Sequence, residues 1–343
     1  MTTRSLTFLV LALIVATRGH AEGAVGVKEQ SRPDGAYSQT EDTSLLDAAL
    51  VASGVTDSTK RSAYRARLET IVSRLERAPG DKRSVQSQGQ TLLRGLFEHL
   101  LTGRYQAACT EVDRTLDTGD YNCVTATILY RYLAVRAGLP VTTLAERHHV
   151  YCRLDSDPPV TIQTTSAAGF LIDIGAASRP GSEQARELTD EQLVAKICYN
   201  RGVALAERRQ FRAAVDLLQI ACRLDVADTV ARQNLLAGLN NWGLAEADAG
   251  HWQVAAEILT DGLRLAPDCA ALRDNEVHVY QRWTVQLCRD GDFDQALRIL
   301  EAGYQRRPDV PLFANGRQTV REIWRQSLLA QGRPKPATTA PAR

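Results

Sequence analysis

Cys123 is preceded by Asn122 and followed by Val124 to Ala137, where Ile128, Leu129, Tyr132, Leu133 and Val135 recur at helical spacing until Gly138 and Pro140 stop them. Asn is a good N-cap, so the spacing predicts a helix with Cys123 in its first turn. There the orphan N–H groups and the positive end of the helix dipole favour a thiolate, which makes the sulfur nucleophilic. Downstream, Arg147 to Leu154 alternates as a strand does, a turn follows at Asp155 to Pro159, and Val160 to Thr165 reads as a second strand. Paired as a hairpin, they would share His149, Tyr151 and Arg153 on one face and Val150, Cys152 and Leu154 on the other. His149 would then lie beside Gln163, facing the helix that begins at Cys123. A thiol, an imidazole and a hydrogen-bonding partner for that imidazole are the components of nucleophilic acyl transfer.

The stations Tyr-Asn-Cys-Val-Thr-Ala-Thr-Ile-Leu-Tyr (121–130), Ala-Gly-Leu-Pro (137–140), His-Val-Tyr (149–151) and Ile-Gln-Thr-Thr (162–165) resemble the transglutaminase-like branch of the papain-type cysteine hydrolases, over residues 90–175. The resemblance implies that Cys123 is the nucleophile, His149 the general base and later acid, and Gln163 the third, imidazole-orienting residue. The third position departs from the family, which usually carries Asp or Glu there. A neutral amide accepts a hydrogen bond from the imidazole and fixes its tautomer, but it does not offset imidazolium charge as a carboxylate does. Asp155, Asp157 and Asp173 are nearby substitutes that no motif selects. His148 is an alternative base, but it would point to the opposite face of the strand, and the hydrophobe-aromatic pair follows His149. His148, His149 and Cys152 do not make a zinc site, because adjacent histidines on a strand point apart and no second cluster completes four ligands. Neither a metal nor a cofactor is expected.

Before this segment, helical periodicity runs from Ser44 to the Gly54 stop, from Tyr64 to Leu75, and from Thr91 to Leu101. After it the chain repeats. Gly202, Gly243 and Thr284 stand 41 residues apart, as do Phe211, Trp252 and Phe293, then Ala214, Ala255 and Ala296, and Leu218, Leu259 and Leu300. Gly250, Gly291 and Gly332 keep the step, which places a last helix at about Pro311 to Gln331. With Pro267 and Pro308 at its terminal proline position, each unit resembles the tetratricopeptide repeat, with a period of 41 in place of 34. The seven extra residues are expected in the first helix or the connection into it. A helical hairpin with two apolar faces buries both by stacking on neighbours, which creates a concave surface suited to a protein or peptide partner.

The expected fold class is therefore an α+β transglutaminase-like domain with a helical N-terminal region, followed by an all-α tetratricopeptide solenoid, mostly α overall. Residues 1–21 read as a signal peptide: Arg4, an apolar run from Leu6 to Ala16, and small residues Gly19 and Ala21 before a cleavage point. Then come a flexible lead-in (22–43), the transglutaminase-like domain (44–185), the repeats (186–332) and a Pro- and Thr-rich tail (333–343). Such a chain is expected to be exported, periplasmic or secreted, with no stable membrane span after signal cleavage. Lys and Arg total 41 against 40 Asp and Glu, with no sustained basic run, which argues against nucleic acid as a partner. Seven cysteines are odd for an oxidising compartment. Cys123 is the natural free thiol, and Cys198 and Cys222, on the two helices of the first repeat, are candidates for a bridge. Two functions follow as expectations: a cysteine hydrolase or acyl transferase acting on a peptide or protein amide, or a catalytically inactive scaffold whose repeats bind protein.

Overall fold

Residues 45–52 (LLDAALVA) are almost wholly apolar and form α1 (Leu45–Ala52), every residue of which is buried. A helix hydrophobic all round belongs in a core, and α1 is the first sign of one. The computed structural model describes residues 45–76, 84–172 and 185–330. The signal peptide, the lead-in, Asp173 and the C-terminal tail of the sequence reading lie outside the described residues. Helices α2 (Ser58–Glu76) and α3 (Val85–His99) follow, the latter capped by the Ser84 hydroxyl, which accepts the Ser87 N–H at 3.2 Å. A short α4 (Val112–Thr118) leads to α5 (Cys123–Arg136).

Five strands come next: β1 (Val141–Ala145), β2 (Val150–Leu154), β3 (Val160–Ile162), β4 (Phe170–Ile172) and β5 (Arg186–Leu188). They make one antiparallel sheet in the order β4-β3-β2-β1-β5. Residues Cys152, Leu154, Val160 and Ile162 of the sheet share a core with Ala126, Leu129, Tyr130 and Leu133 of α5. Both strands around the site are shorter than their sequence alternation suggests. His149 closes the β1–β2 turn, its carbonyl accepting the Glu146 N–H at 2.8 Å, and Gln163 leaves β3 for a turn whose N–H reaches the Gly169 carbonyl at 2.7 Å.

Three helix pairs then follow at the 41-residue step: α6 (Asp190–Glu207) with α7 (Phe211–Leu224), α8 (Thr229–Asp248) with α9 (Trp252–Leu265), and α10 (Ala270–Asp290) with α11 (Phe293–Arg306). A final helix, α12, covers Pro311–Ala330. The first helices have 18, 20 and 21 residues, whereas each second helix has 14, so the first helix is the long one of each pair. The repeated glycines mark where paired helices touch. A Cβ on Gly202 would meet the Leu218 side chain at 2.8 Å, and one on Gly243 would meet Leu259 at 2.7 Å.

The expected plan of a transglutaminase-like α+β domain followed by an all-α tetratricopeptide solenoid is corrected by this architecture. The described residues hold twelve helices and a single small sheet, three of whose strands are three residues long. So little strand cannot carry a core by itself, and helices supply most of the buried surface. One compact unit ends at Asn234 and the other begins at Leu235, within α8. The reason is packing: Leu193, Val194, Ile197 and Cys198 of α6 and Ile220, Ala221 and Leu224 of α7 are buried in the same core as α1 and α5. The first hairpin thus completes the first unit instead of opening a separate array. The second unit has its own core, in which Leu259, Leu272, Val279, Leu300 and Phe313 are buried.

All seven cysteines are free, Cys198 and Cys222 included. Cys198 is buried in the first core while Cys222 is half-exposed on its own helix. Among the described residues, no helix is long and apolar enough to cross a membrane.

Candidate active site

The first turn of α5 is fixed before any chemistry is considered. The Asn122 side chain accepts the Thr125 N–H at 3.0 Å, and the Thr125 hydroxyl accepts the Asn122 N–H at 3.1 Å, a reciprocal capping box. Cys123 is the first helical residue and is partly exposed. His149 and the backbone N–H groups of Val150 and Val124 approach its sulfur, where each favours the thiolate.

His149 lies one residue before β2, not within it, and so reaches Cys123 from the end of the sheet. This differs from the expected hairpin face, because Val150, Cys152 and Leu154 are the residues buried with α5. The imidazole is held on three sides. Its Nε2 lies 2.7 Å from Gln163 Oε1; since that oxygen only accepts, Nε2–H donates and Nδ1 is left for the sulfur. Tyr151 stacks on the ring at 5.8 Å between centroids, and the Tyr151 hydroxyl donates to Glu146 Oε1 at 3.1 Å. Gly169 lets the Gln163 turn close, since a Cβ there would sit 2.0 Å from the Gln163 carbonyl oxygen.

The electrostatics single out one thiol. Burial pushes the Cys123 thiol up, but the His149 hydrogen bond, the Val150 and Val124 N–H groups and the His149 charge together outweigh it, leaving the thiol below its ordinary value. The hydrogen bond to Cys123 raises His149; burial opposes this, and Gln163 with the charges of Cys123 and Glu146 adds to it. Each residue thereby favours the charged form of the other. At other cysteines burial acts the same way and is not outweighed, pushing the Cys152 and Cys198 thiols up to about 12 and raising those of Cys109, Cys222 and Cys288.

Of the sequence candidates, Cys123, His149 and Gln163 meet at this point. His148 is exposed beside them and has no hydrogen bond to the sulfur. Asp155 is committed elsewhere, accepting from the Thr142 hydroxyl at 2.6 Å and pairing with Arg153 at 2.8 Å. Among the described residues, no group of three or more His, Cys, Asp or Glu is arranged to hold a metal ion.

Sequence reasoning missed two contributors. Tyr105 approaches Cys123, and burial, then the thiolate charge and the pull of the sulfur on the phenolic proton, raises its own hydroxyl. It is carried there by a strap in which residues 103–106 run beside 119–121. Tyr105 bridges Tyr121, the Gln106 N–H reaches the Tyr121 carbonyl at 2.8 Å, and Asp120 accepts from the Arg104 N–H at 2.9 Å and from Gln106 Nε2 at 2.7 Å. The second contributor is the first hairpin. A cleft of about 190 Å³ opens at Cys123 and His149, walled on one side by residues 146–150 and on the other by Lys196, Tyr199 and Asn200 of α6 with Asp228 and Val230 at the start of α8. Lys196 and Asp228 form an ion pair at 2.5 Å across that far wall.

No family model matches the chain, and no curated protein does. Among solved structures it is similar to menin, in the crystal structure that reveals its binding site for mixed lineage leukemia protein. That similarity has 12% identity, a TM-score of 0.40, and covers 84% of this chain and 72% of menin's. At that TM-score the likeness carries no inference about fold or function.

Proposed function

We propose that the protein is a cysteine-dependent hydrolase or acyl transferase acting on a peptide or protein amide. The observation that carries this reading is the His149 imidazole held between the Cys123 sulfur and Gln163 Oε1, the latter at 2.7 Å. His149 takes the Cys123 proton through Nδ1, and the thiolate attacks the amide carbonyl to form a tetrahedral intermediate. Collapse breaks the C–N bond, His149 returns the proton to the leaving amine, and an acyl-enzyme remains. Water or an amine then attacks the thioester, with His149 as its base, and Cys123 leaves as the thiolate. Gln163 holds Nε2–H throughout and so fixes the tautomer. At the head of α5 the Asn122 and Thr125 N–H groups are taken by the capping box, which leaves the Cys123 N–H to serve the developing oxyanion.

The cleft supports an extended substrate, since it is bounded by hydrogen-bonding side chains on both walls. Within the same reading, residues 1–21 direct export and the helical hairpins beyond the cleft offer a surface to a protein partner. A rival reading, a catalytically silent interaction protein, draws on Gln163, whose neutral amide cannot balance an imidazolium as a carboxylate does. Site-resolved alkylation of Cys123 by iodoacetamide at pH 6 separates the two. The enzyme reading expects alkylation much faster than that of a model thiol, lost in His149→Ala and absent in Cys123→Ser. Alkylation no faster than a model thiol removes it.

A further inference from the structure

Two threonines next to the site are buried completely, and the reading above gives neither of them a task. Thr127 lies one turn below Cys123 on α5, and Thr164 directly follows Gln163; both have zero exposure. Their hydroxyl oxygens are 2.8 Å apart, and Thr127 Oγ1 also lies 3.1 Å from the Val150 carbonyl. The proton count orders the network. A carbonyl only accepts, so the single Thr127 proton goes to Val150, and Thr164 donates to Thr127.

These two bonds join three backbone segments, each one peptide or one helical turn from a residue of the site: Thr127 shares a face of α5 with Cys123, Val150 follows His149, and Thr164 follows Gln163. We propose that the Thr127–Thr164 hydroxyl pair is a positioning device that holds the Cys123 helix, the His149 turn and the Gln163 turn in one register. The choice of residue supports this, because valine has nearly the same shape and would fill a core without a buried hydroxyl to satisfy. A hydroxyl placed where one proton serves a carbonyl and the other serves its neighbour fixes both distance and direction, which apolar packing does not. The capping box fixes the axis of α5 at Asn122 and the Gly169 turn fixes the backbone of Gln163, and the hydroxyl pair ties that helix to that turn by directed bonds.

The proposal rests on the proposed function for its main probe, so the test has two readouts. In the full chain, Thr127→Val, Thr127→Ser, Thr164→Val and Thr164→Ser are compared with the parent by iodoacetamide alkylation of Cys123 across pH 5–9 and by NMR titration of the His149 imidazole. Circular dichroism checks that each variant folds. The expected result for the valine variants is an alkylation profile moved towards that of an ordinary thiol, at least about tenfold slower at pH 6, with the His149 titration moved to lower pH. The serine variants keep the hydroxyl and restore both profiles. A folded Thr127→Val or Thr164→Val with the parent's two profiles overturns the proposal. Failure of both valine variants to fold also overturns it, since the pair would then be a requirement of the fold rather than of the site. A parent Cys123 that alkylates like a model thiol removes the proposed function alone, and the His149 titration still decides whether the pair positions the imidazole.

Discussion

Replacing Gln163 by alanine removes one hydrogen bond and asks whether a neutral amide can serve the imidazole. The bond from His149 Nε2–H to Gln163 Oε1 is 2.7 Å and is made to a half-buried ring. A hydrogen bond to a charged partner contributes about 1.5–3 kcal/mol against about 0.5–1.5 kcal/mol for a neutral one, so its loss disfavours the imidazolium by about 1–1.5 kcal/mol. Because about 1.4 kcal/mol is one power of ten, the thiolate population at pH 6 falls about tenfold, and alkylation of Cys123 falls with it. The sign follows from the two shifts. Cys123 titrates below its ordinary value and His149 above its own, so the parent's rate begins to rise at lower pH than a model thiol's. In Gln163→Ala the rise moves to higher pH. Gln163→Glu retains an acceptor and adds a charge, so its rate at pH 6 equals or exceeds the parent's. The assay is site-resolved mass spectrometry after timed iodoacetamide exposure, with circular dichroism as the check on folding. A folded Gln163→Ala that reacts within about twofold of the parent at pH 6 would refute the role given to Gln163.

Four further outcomes are open to measurement. Tyr105→Phe removes the hydroxyl beside Cys123 and should slow alkylation at pH 6 about threefold to tenfold, with an unchanged unfolding midpoint. Gly169→Ala places a Cβ against the Gln163 carbonyl, so it should cost about 1–3 kcal/mol in urea unfolding and slow Cys123 alkylation as well. Arg209 adopts φ 60° where the next two repeats have Gly250 and Gly291, at φ 81° and 79°. Relief of about 1–2 kcal/mol of left-handed strain, set against the added chain entropy of glycine, gives Arg209→Gly a net stabilisation of about 0.5–1 kcal/mol in urea unfolding. Burial pushes the Asp228 carboxyl up, but Lys196 and the N–H groups of Ala231 and Val230 outweigh it and leave it below the ordinary range. Its contribution is therefore present above the ordinary carboxylate value and lost as pH falls through the lower folded value. Asp228→Asn should cost about 1–2 kcal/mol at pH 7, with the difference from the parent shrinking at pH 3; a cost equal at both pH values would refute this.

Local signals were the legible ones. Asn122 before an apolar helical run placed Cys123 at a helix start, and the structure sets His149 beside that sulfur with Gln163 on the imidazole's other nitrogen. The 41-residue step likewise gave the helix pairs, because a repeated glycine facing a repeated leucine is a packing contact written twice. Less legible was which hairpin packs into which compact unit. The α6–α7 hairpin carries the same repeat pattern as its successors, and nothing in that pattern states that its apolar face closes the first core. The three-residue strands β4 and β5 are too short to alternate, so the width of the sheet was invisible. Tyr105 escaped for a related reason: it is positioned by a single bridge to Tyr121 and the carboxylate of Asp120, neither of which has a period.

The cleft wall supplied by α6 and the start of α8 sets a rule for how this chain can change in length. Every residue lining the cleft lies at or before Val230. Duplication or deletion of one 41-residue step wholly after Val230 would change the number of later helices and leave each cleft residue in register. Deletion of the step that holds α6 and α7 would take away Lys196, Tyr199 and Asn200 and disrupt the first core. Insertions tolerated in the second unit and refused in the first would be the genetic mark of that division.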